Sequence, residues 1–97
     1  MEYLVMPKRS VPVTVRRVVH VSLPQVVSSV NQVLANKGIA RRASAESTFS
    51  SLDFDSLDLA ECMILLEDLV GAELDLPSDR PIKRVRDLVY VQARRVQ

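Results

Sequence analysis

Tryptophan is absent from these 97 residues, and glycine, cysteine and histidine nearly so, at two, one and one. The single cysteine, Cys62, excludes an internal disulfide and fits a reducing, cytoplasmic setting. Two glycines are too few for a phosphate-cradling loop or a turn-rich β fold. With aromatics at 4%, an aromatic-built β-sandwich or a base-stacking platform is not expected. No apolar run has the length needed to cross a bilayer. The lone histidine, His20, has no nucleophile motif to serve, so an enzyme is not expected either.

Apolar residues, by contrast, make up 47% of the chain, enough for one modest core in one domain. The net charge of +1 conceals a strong polarity. Residues 1–45 carry seven Lys/Arg against Glu2, residues 46–79 carry ten acids and no base, and residues 80–97 carry six bases against Asp87. Such blocks mark solvated surfaces or interaction faces.

Residues 1–21 read as a basic, loosely ordered arm. Val11, Val13 and Val15 alternate with Pro12, Thr14 and Arg16, an extended pattern without a visible partner strand. The arm lacks the helical amphipathicity of a transit peptide, and Arg16 and Arg17 interrupt any secretory signal.

Residues 22–97 read as one all-α domain, a small antiparallel bundle of three main helices. Ser22 and Gln25 have capping-box spacing, with Pro24 in the tolerated first turn. Leu23, Val26, Val27, Val30, Val33 and Leu34 follow one helical stripe, and Gly38 is a natural stop, which predicts a helix over 24–36. The long connection 38–55 is expected to anchor through Phe49 and Leu52. A second helix is predicted over 56–70, ended by Gly71. A short turn or helix is expected between 77 and 83, and a last helix over 84–95 with Arg94 and Arg95 at its C-terminal end.

At 100° per residue the second helix divides into two surfaces. Leu59, Cys62, Met63, Leu66, Leu69 and Val70 fall on an inward face, which makes Cys62 a small buried hydrophobe. Leu57, Glu61, Ile64 and Asp68 fall outward, with Asp58 at the margin. The outer surface is either a docking face for a basic, partly apolar partner or a set of scattered surface hydrophobes. Ser56 stands at the helix start, where a serine alone reads as an N-cap. A phosphodiester on that hydroxyl would also sit well, beside unpaired backbone N–H groups and the positive end of the helix dipole.

The run Leu52-Asp53-Phe54-Asp55-Ser56-Leu57-Asp58 resembles the signature around the phosphopantetheine-bearing serine of acyl carrier proteins. Glu61, Ile64, Glu67 and Asp68 fall where that family has acidic and apolar recognition residues. Leu74, Pro77 to Pro81, Ile82 and Val85-Arg86-Asp87-Leu88-Val89 are similar to its loop and final helix, so the likeness covers roughly residues 22–95.

The resemblance implies 4'-phosphopantetheine, donated by coenzyme A, on Ser56, with Asp55 beside it in the cofactor site. It implies acyl carriage as a thioester for fatty-acid, polyketide or related lipid biosynthesis, by a protein that catalyses nothing itself. Its implied partners are a phosphopantetheinyl transferase and acyl-handling enzymes with basic surfaces, meeting Leu57, Asp58, Glu61, Ile64, Glu67 and Asp68 on a monomer. Three departures stand out: Asp53 occupies a position where the family usually has Gly, Phe49 lies one residue closer to Leu52, and the ends are basic. Together they point to a specialised member.

Other classes fare less well. A peptidyl carrier would usually show Gly-Gly before the serine, where this chain has Asp53-Phe54-Asp55. A carrier-like fold serving only as an interaction subunit remains the alternative if Ser56 is never modified. Asp53, Asp55 and Asp58 have partial calcium-loop spacing, but the turn glycine is missing and Ile64 stands where the closing Glu should be, so no metal is expected. The arginines at 16, 17, 41, 42, 84, 86, 94 and 95 lack a recognition motif, and the acidic helix would repel phosphates, so nucleic acid is not an expected partner.

Overall fold

Helix α1 (Leu23–Asn36) starts at Ser22, whose Oγ accepts the Gln25 N–H at 3.2 Å while Gln25 Oε1 accepts the Ser22 N–H at 2.9 Å. The computed structural model, which describes residues 20–94, thus forms the expected capping box. Val26, Val30, Val33 and Leu34 are buried along one side. The helix ends because Gly38 turns left-handed at φ 78, letting Ile39 N–H reach the Leu34 carbonyl and Gly38 N–H the Ala35 carbonyl, both at 2.9 Å.

Helix α2 (Ser56–Val70) matches its expected span. It ends at Gly71, φ 72, whose N–H donates to the Glu67 carbonyl at 2.8 Å. Cys62, Met63 and Leu66 face inward, and Leu59 and Val70 are half-buried. Leu69 departs from the expected inward face and is 55% exposed. It lies in the last turn, about 60° to one side of the line through the buried residues, where no element among the described residues covers it.

The last helix, expected over 84–95, is shorter than that and is not an α-helix. Val85–Tyr90 is a 3-10 helix, after which Val91 (φ −60, ψ 150) extends the chain into strand β2 (Gln92–Ala93). The β-branched and aromatic run Val89-Tyr90-Val91 favours extended backbone. The buried side chains here are Val85, Leu88 and Val91, spaced by three, and only a three-residue turn lines them up. Strand β2 pairs antiparallel with β1 (Leu74–Asp75), Leu74 opposite Ala93 and Asp75 opposite Gln92. Between them, where a short turn or helix was expected over 77–83, residues 78–80 form a bend and 81–83 have no regular structure. The architecture is therefore mostly helical with a small antiparallel sheet, where an all-α bundle of three main helices was expected.

The connection 38–55 forms the remaining wall. Asn31 of α1 brackets Ala43, accepting its N–H at 2.7 Å and donating to its carbonyl at 3.4 Å. Further on, Phe49 N–H donates to the Lys83 carbonyl, Val85 N–H to Ser47 and Arg86 N–H to Ala45, at 2.9, 2.9 and 3.0 Å. Phe49 and Leu52 are buried as expected. Val21 is buried against the same core, one residue ahead of the expected boundary at 22. The extended pattern at residues 11–15, most of the arm, and Arg95 lie outside the described residues.

Candidate functional site

The start of α2 is held from both sides. Asp55 is the N-cap: its Oδ1 accepts the Asp58 N–H at 2.9 Å, and Asp58 Oδ2 accepts the Asp55 N–H at 3.1 Å. This reciprocal pair corrects the expectation that Ser56 caps the helix. Ser56 is the first helical residue instead, solvent-exposed, and its hydroxyl makes no hydrogen bond among the described residues. The backbone N–H groups of Ser56 and Leu57 also lack an acceptor among the described residues, as first-turn donors do.

Asp58, expected at the edge of a docking face, is turned inward and only 8% exposed. Lys37, just past the end of α1, donates to Asp58 Oδ2 at 2.7 Å and reaches the Asp53 carbonyl at 3.4 Å. The Lys37 hydrogen bond, supported by the Asp55 backbone N–H, holds the Asp58 carboxyl below its ordinary value. The same contact, against some desolvation, raises Lys37. Lys37 also lies 5.8 Å from the centroid of Phe54, whose ring packs at 5.4 Å on Phe49. Nothing local in the sequence announces Lys37, because its partner lies 21 residues away.

Asp53 adopts φ 57, the left-handed region that favours glycine and that Asp tolerates better than most residues. This is the position where the resemblance implies a glycine. The Asp53 conformation reverses the chain after Leu52 and delivers Phe54 and Asp55 to the helix start.

Four of the outward residues are disposed as the helical wheel predicts. Leu57 is 68% and Ile64 56% exposed, and Glu61 and Asp68 are exposed with them. Glu67 is not wholly outward: it is half-buried, and its Oε2 accepts the Leu74 N–H at 2.9 Å, tying α2 to β1. Beside it an open groove of about 480 Å³ runs between α2 and β1, with Ala60, Met63, Ile64, Leu74 and Leu76 as its apolar lining and Glu67, Glu73, Asp75 and Arg94 as its charged lining. Sequence reasoning does not find this groove, whose rim includes the 41% exposed Leu76.

Cys62 is fully buried, and burial pushes its thiol up to about 12, which leaves it protonated and inert at neutral pH. His20 precedes α1, whose far end meets the start of α2, so the length of a helix separates the imidazole from Ser56. No helix among the described residues is long and apolar enough to cross a membrane. No family model matches the chain, and no curated protein or solved structure matches it either.

Proposed function

We propose that this protein is an acyl carrier, modified on Ser56 by 4'-phosphopantetheine. The observation that carries the reading is Ser56 itself: an exposed hydroxyl relieved of capping by Asp55, at the head of a helix with an acidic and apolar outer stripe. Asp53 adds support, since its left-handed conformation supplies the turn for which a glycine is implied.

The chain's own part in the chemistry is passive and positional. Ser56 Oγ offers an unhindered nucleophile, and the Lys37–Asp58–Asp55 network holds the helix start in place while a partner enzyme supplies the base. Transfer from coenzyme A forms the Oγ–phosphorus bond and breaks the pyrophosphate bond, releasing adenosine 3',5'-bisphosphate. A phosphodiester on Ser56 would have the uncommitted N–H groups of Ser56 and Leu57 to hold it, where the helix dipole and hydrogen bonding favour an anion. Once attached, the group supplies a terminal thiol that carries acyl chains as thioesters. The transferase and acyl-handling partners would approach over Leu57, Glu61, Ile64 and Asp68. Asp58 and Glu67 contribute from within by fixing the helix.

The test is intact mass after incubation with coenzyme A and a broad-specificity phosphopantetheinyl transferase. One phosphopantetheinyl increment is expected on the parent and none on Ser56→Ala. An unmodified parent beside a modified control carrier would overturn the proposal and leave an interaction subunit. The increment persisting in Ser56→Ala would move the site elsewhere.

A further inference from the structure

The outward stripe of α2 has no cover among the described residues. Leu57, Glu61, Ile64 and Asp68 recur at four- and three-residue steps and so form one line along the helix. Two large apolar side chains in that line are more than half exposed. The neighbouring acids are mostly engaged: Asp58 by Lys37, Glu67 by the Leu74 N–H, and Glu73 and Asp75 by Arg94 at 3.1 and 2.8 Å. Glu61 and Asp68 make no ion pair among the described residues. Asp53, Asp55 and Asp79 are likewise without an ion pair among the described residues, but of the unpaired acids Glu61 and Asp68 are the two that lie in line with the exposed Leu57 and Ile64.

The rest of the chain contains a segment of complementary chemistry. Residues 1–19 carry Lys8, Arg9, Arg16 and Arg17 against Glu2 alone. In extended backbone Val11, Val13, Val15 and Arg17 share one side, an apolar edge ended by a cation.

The connectivity brings this segment to the right place. Lys37 ties the end of α1 to the first turn of α2, so α1 begins on the side where α2 finishes, near Asp68. From there α2 runs for about 22 Å at 1.5 Å per residue. Nineteen extended residues reach up to about 60 Å, so the segment can follow the whole stripe back toward Ser56. Being tethered, it meets the stripe at an effective concentration of order millimolar, which a separate molecule seldom matches.

We propose that residues 1–19 are the occupant of this face, with Arg17 beside Asp68 and Glu61 and the alternating valines over Ile64 and Leu57. The contact is intramolecular, held by charge and by shared apolar surface, and a basic partner gains the face by displacing it. None of this depends on whether Ser56 is modified.

The experiment uses the full chain. Ser10→Cys carries a nitroxide, while buried Cys62, with its thiol held protonated, stays unlabelled. Amide resonances of Leu57, Glu61, Ile64 and Asp68 should be lost to paramagnetic broadening at low salt. They should return at about 1 M salt, where the screening length falls to about 3 Å. They should also return in Glu61→Lys/Asp68→Lys with the helix intact by circular dichroism. Broadening that is absent, spread evenly over the domain, or unchanged in the double variant overturns the proposal. So does broadening that transfers to an isotope-labelled, nitroxide-free chain mixed with an unlabelled spin-bearing one, since that occupant is a second copy.

Discussion

Replacing Asp55 by Ala deletes the acceptor for the Asp58 N–H, a 2.9 Å bond at the entry to α2. Loss of an N-cap of this kind costs about 0.5–2 kcal/mol. In a domain of this size about 1 kcal/mol corresponds to a fall in Tm of about 4–8 °C. Ser56→Ala removes a hydroxyl with no partner among the described residues and substitutes the best helix former, so its effect should stay within about 0.5 kcal/mol. Asp55→Asn, which keeps an acceptor oxygen in the cap, should recover most of the loss. Thermal and urea unfolding followed by circular dichroism separate the three variants, with an unchanged urea m value required for the comparison to hold. If Ser56→Ala lowers Tm as much as Asp55→Ala, or if Asp55→Ala leaves it unmoved, the assignment of the cap is wrong. The hydroxyl would then not be spare for modification.

Leu66→Ala, at a fully buried position in the middle of α2, should cost about 2–5 kcal/mol, whereas Leu69→Ala, more than half exposed, should fall within about 0.5 kcal/mol; comparable urea midpoints for the two would refute the burial pattern. Asp58 and Asp87 have carboxyls held below the ordinary value of 3.8, by the Lys37 hydrogen bond and by the Arg84 and Lys83 N–H groups respectively. A depressed folded pKa supplies stability above the unfolded value, so Tm should drop as pH falls below about 3.8, and Asp58→Asn should flatten part of that drop.

Features defined by neighbours along the chain are legible in the sequence alone. The Ser22–Gln25 box, the stripe from Val26 to Leu34 and the stops at Gly38 and Gly71 all depend on contacts three to five residues apart. The cap at Asp55 is equally local, an Asp three residues before another Asp, but the adjacent Ser56 is itself a good capping residue and masks it. The last helix departs from expectation for a different reason. Val85, Leu88 and Val89 satisfy a helical pattern, yet burial selects Val85, Leu88 and Val91, and this choice rests on the walls provided by α1 and the 45–49 segment. The strand pair joins residues nearly twenty positions apart through two-residue segments too short to carry any alternation. Lys37 and Asp58 meet only because two helices pack, and Leu69 is exposed because nothing among the described residues packs there.

The pairing of β1 with β2 also settles how this domain can be held. Arg94 closes on Glu73 and Asp75, just beyond the end of α2, and α1 begins on that same side of the molecule. Both ends of the described chain therefore emerge at one pole, and Ser56 sits at the other, about a helix length away. A tag, a surface linker or a neighbouring domain attached after residue 94 grips the protein by its base and leaves the serine pole facing outward. Immobilised through its C-terminal side, the domain should present Ser56 to soluble enzymes without steric shadow, whereas attachment through Met1 passes through the segment proposed to lie along α2.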